Sequence, residues 1–242
     1  MSYAFQWLRS LIFNLLMYVA MPIVGLLYLP WAIASPKGAI AACHRYANVV
    51  QWLARVLIGL RVEVRGTPPT GEVMMAAKHQ SFFDVMAIYS AVPYGKFIMK
   101  SVLKYAPVFG WFTLRMGAIA VDRGKRGAAI KKMVEDVKAG ADMPGQVMIY
   151  PQGTRVAPGE YKPYKKGTAA LYEALGQPCI PIATNIGVFW PKRGVHRRAG
   201  TAVVEFLDPI EPGMDPDAFL ALVEDRIETA SHALAAEANA KL

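Results

Sequence analysis

The segment His79-Gln80-Ser81-Phe82-Phe83-Asp84 places an imidazole and a carboxylate five positions apart. It follows the apolar run 73–77 and opens an apolar helical stretch, so His79 falls in a predicted strand-to-helix turn where Asp84 can reach it. A carboxylate that accepts from one ring nitrogen fixes the tautomer and leaves the other nitrogen to take a hydroxyl proton. The pair therefore predicts a general base with an orienting acid.

The same hexapeptide also fits a purely structural role. Ser81 is a candidate helix cap and Asp84 its partner in the first turn, a carboxylate variant of the capping box, with His79 as a turn residue. The two interpretations are compatible, because a capped first turn would hold Asp84 rigidly beside His79.

Positive charge is concentrated in three segments of a chain whose formal net charge is +9. Residues 96–126, 155–166 and 192–198 contain 15 of the 27 Lys and Arg residues, but only Asp122 and Glu160 among the acids. Such a patch suits an anionic substrate or an anionic membrane surface. Nucleic acid is not expected as a partner, because no recognised nucleic-acid module or ladder of stacking aromatics accompanies the charge.

The two cysteines, Cys43 and Cys179, and the four scattered histidines fit neither a disulfide framework nor metal-ligand spacing. We therefore expect a reducing compartment and no metal. Cys179 lies in an apolar strand and is expected to be buried and unreactive. Since Ser81 is better placed as a cap and there is no Gly-x-Ser-x-Gly turn, a covalent enzyme intermediate is not expected.

The segment 11–34 contains no charged residue and, at 24 residues, is long enough to cross a bilayer, which needs about 20. Pro22 and Pro30 divide it, and the piece 11–21 is too short to span alone. A membrane-embedded helical hairpin is the favoured interpretation. A spanning helix and a signal peptide cleaved after Ala34 are the alternatives.

The rest of the chain alternates helices and strands. After a predicted helix over 39–60, predicted strands cover 61–65, 73–77, 97–99, 118–121, 147–150, 179–183 and 202–206, and predicted helices cover 85–91, 128–139, 168–175 and a long segment capped by Asp215. The pattern predicts an α/β fold, a single mixed and largely buried sheet flanked by helices. We expect a membrane-anchoring helical segment over 1–60 and a catalytic domain over 61–242.

Three further segments join a short apolar strand to a turn: Gly117–Arg123, Tyr150–Arg155 and Ile180–Ala183. Together with His79 and Asp84, they make the chain resemble the glycerolipid acyltransferases, most closely the bacterial 1-acyl-sn-glycerol-3-phosphate (lysophosphatidate) acyltransferases. That family's blocks are His-x4-Asp, a Gly-led strand ending in Arg, Pro-Glu-Gly-Thr-Arg, and a Val-Pro-Val type strand. A Lys-rich link typical of bacterial members matches 100–110, and the resemblance covers roughly 60–210.

The resemblance implies acyl transfer from an acyl-CoA or acyl-carrier-protein co-substrate to the sn-2 hydroxyl of lysophosphatidate, giving phosphatidate without a cofactor. His79 would be the general base and Asp84 would orient it. Arg155, helped by Lys100 and Arg123, would bind the acceptor phosphate, because a guanidinium can hold phosphate oxygens by two parallel charge-assisted bonds.

Three residues of the third block complete the implied substrate site. Gly153 would let the backbone approach the substrate closely, and Thr154 would offer a hydroxyl hydrogen bond. Gln152 stands where Glu is usual in the family; an amide keeps the acceptor oxygen but loses the negative charge. This departure raises an alternative acceptor, a lyso-lipid without phosphate such as lyso-ornithine lipid.

The resemblance also implies where the protein works. We expect it at the cytoplasmic (inner) membrane with its catalytic domain on the cytoplasmic face, and its partners to be a lysophospholipid acceptor, the acyl donor and membrane lipid. A third interpretation is a non-catalytic membrane protein that binds anionic lipid through its basic segments, with the His79 and Asp84 pair serving only as a helix cap.

Overall fold

The computed structural model describes residues 3–122, 126–139 and 145–241. Its helices are α1 (Tyr3–Ala34), α2 (Pro36–Leu53), α3 (Phe83–Ala91), α4 (Phe109–Arg115), α5 (Arg126–Ala139), α6 (Gly167–Leu175), α7 (Ile186–Phe189) and α8 (Pro216–Asn239). Its strands are β1 (Leu60–Arg65), β2 (Val73–Ala77), β3 (Gly95–Lys100), β4 (Ile119–Val121), β5 (Gln146–Ile149), β6 (Cys179–Thr184) and β7 (Gly200–Phe206). The predicted strands all occur within a few residues of their expected bounds, whereas α4 and α7 were not predicted.

The strands form one sheet in the order β1-β7-β6-β2-β5-β3-β4. All neighbours are parallel except β6 and β7, so the predicted mixed sheet is confirmed. The carboxyl ends of β6, β2, β5, β3 and β4 therefore lie side by side, and this line of strand ends is called the carboxyl edge. It is where α/β proteins place their ligands. The β2 strand lies at the centre, with Ala77 opposite Ile182 of β6 and Ala76 opposite Ile149 of β5.

Helices cover both faces of the sheet. Along β2, Met75 and Ala77 point into a core shared with α1 to α4, while Met74 and Ala76 point into a second core shared with α5, α6 and α8. All four side chains are at most 1% exposed. This alternation follows from the two-residue period of a strand and confirms the largely buried sheet.

The apolar amino-terminal run is one continuous helix, α1, with Pro22 and Pro30 inside it. The predicted break at these prolines is wrong: each proline removes a single intrahelical hydrogen bond, and the helix continues on the bonds and packing around it. The chain turns at Ser35, whose side chain accepts from the Lys37 amide at 3.3 Å. The hairpin is thus formed by α1 and α2, with Pro36 in the first turn of α2.

The α2 helix is shorter than the predicted 39–60 helix. It continues as a π-helical turn over Ala54–Ile58 and ends at Gly59, whose φ of 79° suits glycine. The strand β1 follows directly. The reversal at Gly59 sets the path from the hairpin into the sheet.

The hairpin and the sheet domain are joined by polar contacts as well as by a common core. Gln51 donates to Ser90 at 2.7 Å, a ring nitrogen of His44 lies 3.1 Å from the Pro93 carbonyl, and Arg115 donates to the Ala32 carbonyl at 3.1 Å. Packing is therefore continuous across residue 60, and the division into 1–60 and 61–242 stays a prediction.

Within the described residues, α1 alone has the length and apolar composition needed to cross a bilayer, with a mean hydropathy of 2.1 in its most apolar window. Only 28% of that window is buried inside the protein. Core helices and signal sequences have similar composition, so this finding is compatible with a membrane helix without requiring one.

We predict that Gly38→Ala destabilises the protein. A Cβ at Gly38 would lie 2.4 Å from the Trp31 backbone carbon, so the turn between α1 and α2 would have to open. Overpacking of this kind costs about 1–3 kcal/mol. Because the contacted atoms belong to the backbone, we expect the upper part of this range, which exceeds the ~1 kcal/mol that alanine usually adds in a helix. The midpoint of thermal unfolding, measured by circular dichroism, should fall by about 2–4 °C per kcal/mol lost.

The matched control is Gly127→Ala in α5, where a Cβ meets nothing within 4 Å. It should leave the midpoint unchanged or raise it slightly. An equal response of both variants would contradict the close approach of α1 and α2.

Candidate active site

His79 lies in the loop between β2 and α3, at the carboxyl edge of the sheet. Its Nδ1 is 3.2 Å from Oδ2 of Asp84. The same oxygen accepts from the backbone amides of Gln80 at 2.6 Å and Ser81 at 2.7 Å, and Asp84 is completely buried. Because a carboxylate only accepts, the proton of the neutral imidazole is assigned to Nδ1, which leaves Nε2 as the basic nitrogen.

The cap and the His-Asp pair occur together. Ser81 Oγ accepts from the Phe83 amide at 3.2 Å, and Asp84 reaches back to the Ser81 amide as the third residue of a capping box does. The predicted juxtaposition of His79 and Asp84 is confirmed, and the capping bonds fix the position of the carboxylate. The catalytic roles stay predictions.

One face of the imidazole is covered by Tyr150, which follows β5. The two ring centroids are 4.1 Å apart with an interplanar angle of 27°. Burial, together with the nearby Asp84 carboxylate, raises the pKa of Tyr150 well above its ordinary value, so the phenol stays neutral. The side chain of His79 is 18% exposed. Tyr150 thus restricts the ring to one exposed approach, and the sequence did not predict this contact.

The turn after β5 lies against the His79 loop, since the Val156 amide donates to the His79 carbonyl at 2.8 Å. Gly153 has a φ of 68°, a backbone conformation that favours glycine, and the end of the Lys165 side chain lies close to it. Thr154 is half-buried in this turn. Arg155, also half-buried, donates to the Lys192 carbonyl at 3.3 Å, which joins two of the basic segments.

Lys100, another predicted phosphate ligand, lies farther along the same edge. Lys100 is exposed at the end of β3, which is separated from β2 by β5. Arg123 lies outside the described residues; Asp122, which follows β4, is the last described residue before it. The structure therefore brings together His79, Asp84 and the turn after β5, and places Lys100 on the same edge of the sheet.

Gln152 is only 1% exposed and belongs to a polar network that the sequence did not predict. Its Nε2 lies 3.2 Å from the Lys162 carbonyl and 3.4 Å from Glu228 Oε1 on α8. Glu228 also forms an ion pair with Lys78, the residue before His79. The Gln152 amide is enclosed by protein groups. Its predicted contact with substrate stays a prediction.

The structure agrees with the prediction that Cys179 is buried. The residue is fully enclosed, and burial raises the pKa of its thiol to about 12. Among the residues that the structure describes, no three His, Cys, Asp or Glu side chains form a group that could hold a metal ion.

An apolar cavity lies beside the His79 loop, between the α1–α2 hairpin and helices α3 and α4. The cavity is narrow, with a free volume of about 70 Å³. Its lining includes side chains from each of these helices or the turn before α3, among them Met21, Val24, Phe82, Val85, Met86 and Phe112. Phe82 and Val85 lie within two residues of Asp84, so the turn before α3 and the first turn of this helix both line the cavity and orient His79.

The chain is similar to known acyltransferases along most of its length. The family model described as Acyltransferase matches residues 61–185. A 1-acyl-sn-glycerol-3-phosphate acyltransferase of Pseudomonas aeruginosa is 34% identical over 212 residues, covering 82% of this chain and 79% of the relative. The human 1-acyl-sn-glycerol-3-phosphate acyltransferase alpha is 30% identical over 177 residues, covering 70% of this chain and 62% of the relative.

Solved structures include the same fold. The crystal structure of the 1-acyl-sn-glycerophosphate acyltransferase PlsC from Thermotoga maritima superposes with a TM-score of 0.79 at 19% sequence identity, covering 97% of this chain and 99% of that one. The matched range 61–185 includes His79, Asp84 and the Gln152–Arg155 turn, the residues that meet at the carboxyl edge of the sheet. From its sequence, its fold and this arrangement, the chain belongs to the acyltransferase family.

Proposed function

We propose that this protein is a 1-acylglycerol-3-phosphate O-acyltransferase that moves a fatty acyl group to the sn-2 hydroxyl of 1-acyl-sn-glycerol-3-phosphate. The observation that carries the proposal is the orientation of His79, whose Nδ1 is held 3.2 Å from the buried Asp84 carboxylate beside a turn containing Arg155. The relatives named above for this activity support the choice of acceptor. Phosphatidate, a phospholipid precursor, would be the product.

In the proposed reaction, His79 Nε2 removes the proton from the acceptor hydroxyl as its oxygen attacks the carbonyl carbon of an acyl thioester. Asp84 keeps the Nδ1 proton in place and stabilises the imidazolium that forms. The tetrahedral intermediate then expels the thiolate of CoA or of an acyl-carrier protein, which takes the proton from His79. The thioester is a co-substrate, and the mechanism uses no cofactor or metal.

The acceptor phosphate would be bound by cations at the carboxyl edge. Arg155 precedes Val156, the residue of this turn whose amide contacts His79. Lys100 and Arg123 are further proposed ligands. Holding the phosphate fixes the hydroxyl relative to Nε2, and such positioning is a large part of enzymatic rate enhancement. Gly153 and Thr154 would contact the glycerol portion from the same turn.

The apolar cavity beside the His79 loop would receive an acyl chain. Its walls are hydrophobic side chains of α1 to α4, and burial of each methylene contributes about 0.8 kcal/mol. A chain held there would have its carbonyl end near Phe82 and Val85, which lie within two residues of Asp84. This location would bring the thioester carbonyl toward the base.

A membrane location would follow from the exposed side of α1. Large apolar side chains are exposed along it, including Leu8, Leu15, Val19, Ile23, Leu26, Leu27 and Ile33. The opposite side is packed on the protein from Phe13 to Ala32. We propose that the exposed side lies in the cytoplasmic leaflet of the inner membrane, with the catalytic domain on the cytoplasmic face.

His79→Ala should abolish measurable base catalysis. We expect kcat to fall by roughly 10²- to 10⁴-fold, because no positioned group would accept the hydroxyl proton. Asp84→Asn should also lower kcat, since the amide cannot stabilise the imidazolium. The assay follows radiolabelled acyl transfer from acyl-CoA or acyl-carrier protein to lysophosphatidate.

The control for this experiment is His232→Ala, which removes an exposed histidine of α8. It should retain wild-type turnover. Equal activity of wild type and His79→Ala would sink the mechanism, and binding of anionic lipid without turnover by the wild type would favour the non-catalytic interpretation.

Arg155→Ala should weaken the use of a phosphate-bearing acceptor. Losing a hydrogen-bonded charge pair costs about 1.5–3 kcal/mol, so kcat/KM for lysophosphatidate should fall roughly 10- to 100-fold. The measurement is a competition between lysophosphatidate and lyso-ornithine lipid in one assay. Selective loss with lysophosphatidate supports the phosphate contact, because the second acceptor has no phosphate.

Arg226→Ala is the matched control, since Arg226 likewise donates from Nη1 to a backbone carbonyl, that of Asp208, at 3.2 Å. It should leave the preference unchanged. Preference of the wild type for lyso-ornithine lipid would favour the second candidate acceptor, which the amide at Gln152 suggests.

Leu26→Glu combined with Leu27→Glu should weaken membrane association. These side chains are 69% and 74% exposed, so the change should preserve the fold while placing two charges on the proposed lipid-facing side. The fraction that sediments with anionic phospholipid vesicles should drop, whereas Met214→Glu, at an exposed position before α8, should not change it. Unchanged sedimentation of the double variant would contradict this placement of α1.

A further inference from the structure

A buried ion pair lies directly behind the candidate base. Lys78, the residue before His79, is 2% exposed, and its Nζ lies 2.7 Å and 2.5 Å from the two carboxylate oxygens of Glu228. Glu228 belongs to α8 and its side chain is 12% exposed. The pair therefore connects the carboxy-terminal helix to the loop that carries His79.

The same carboxylate also contacts the turn that carries Arg155. Glu228 Oε1 accepts from the Tyr164 hydroxyl at 2.9 Å and lies 3.4 Å from Gln152 Nε2. That amide nitrogen also lies 3.2 Å from the Lys162 carbonyl. Glu228 is therefore the common partner of the two loops at the carboxyl ends of β2 and β5.

The charges in this enclosed network balance only if residue 152 is neutral. The network holds one lysine and one glutamate, and an unbalanced charge in a buried site is strongly unfavourable. A carboxylate at position 152 would set two carboxylates against Lys78 alone. It would also lose the N–H donor that faces the Lys162 carbonyl and Glu228.

We infer that Glu228 is a positioning residue for acyl transfer, and that it supplies from α8 the buried carboxylate that the Gln152–Arg155 turn lacks. Through Lys78 it fixes the backbone next to His79, and through Gln152 and Tyr164 it fixes the turn next to Arg155. The base and the phosphate-binding arginine are thereby held at a set separation. This inference rests on the proposed function, because its readout is acyl transfer.

The test relocates the carboxylate. Glu228→Gln leaves Lys78 without its carboxylate partner, and Gln152→Glu adds a second carboxylate. Each variant should lower kcat/KM by about 10-fold or more, which is within the range of coupling energies measured inside one hydrogen-bonded network. The double variant Gln152→Glu/Glu228→Gln returns the network to one lysine and one carboxylate. Its kcat/KM should be at least about 10-fold higher than the value obtained by multiplying the losses of the two single variants.

Glu224→Gln is the matched control, one helical turn earlier on α8, where the carboxylate accepts from the more exposed Tyr161 at 2.7 Å. It removes the same charge from the same helix and should keep wild-type kcat/KM. All variants are compared at a temperature at which circular dichroism shows them fully folded, so that a loss of activity reports positioning rather than unfolding.

If Glu228→Gln alone does not fold, the inference is tested by comparing Gln152→Glu with the double variant. A folded double variant that exceeds Gln152→Glu in activity supports the inference. A double variant that is unfolded, or no more active than Gln152→Glu, overturns it, as does wild-type activity in folded Glu228→Gln.

The wild type is assayed first with lysophosphatidate and with lyso-ornithine lipid. Turnover with either acceptor lets the variants be ranked on that acceptor, so an error in the proposed acceptor is distinguishable from an error about Glu228. No turnover with either acceptor, using acyl-CoA or acyl-carrier protein as donor, overturns both proposals.

Discussion

The site depends on burying the Asp84 carboxylate with donors that hold its Oδ2 in place. Its Oδ2 accepts from two backbone amides and faces His79 Nδ1, within a turn that is closed to solvent. Burying a charge is unfavourable unless it is hydrogen-bonded, and here the donors come from the turn that begins α3. Forming that turn and orienting the imidazole are therefore the same event. Any change that opens the first turn of α3 would also release the His79 ring from Asp84.

The turn is itself braced by segments that are distant in the chain. The amide of Gly187, in α7, donates to the Gln80 side chain at 2.9 Å. The Val156 amide donates to the His79 carbonyl, and the Lys78 amide donates to the Ile182 carbonyl of β6. Because these bonds come from β6, from α7 and from the turn after β5, the His79 loop has its conformation only when the centre of the sheet is assembled. The rigidity of this loop therefore depends on the neighbouring segments at the carboxyl edge as well as on the loop itself.

The local part of this site could be predicted from the sequence. His79 and Asp84 are close in the chain, the strands have strong apolar patterns, and the Asp215 cap of α8 has an ordinary sequence signal, so these features were found. The contacts of Tyr150 and Glu228 depend on the order of strands and the path of α8, which a single sequence does not determine. The four residues of α7 are too few to show a helical period, and Gly110 interrupts the short α4. At Pro22 the general rule for proline misled, because packing along α1 outweighs one lost hydrogen bond.

The contacts along α1 have a kinetic consequence. The helix is held at both ends, by Gln6 to the Arg197 carbonyl at 3.0 Å and by Arg115 to the Ala32 carbonyl, while Met21 and Val24 line the apolar cavity. On the proposed membrane placement, a helix attached along its length lies within the plane of one leaflet, and lipid can enter the cavity laterally. The encounter between enzyme and lysolipid is then two-dimensional. Its frequency follows the mole fraction of lysolipid in the surface, and adding inert phospholipid dilutes the substrate even when its amount per volume is constant.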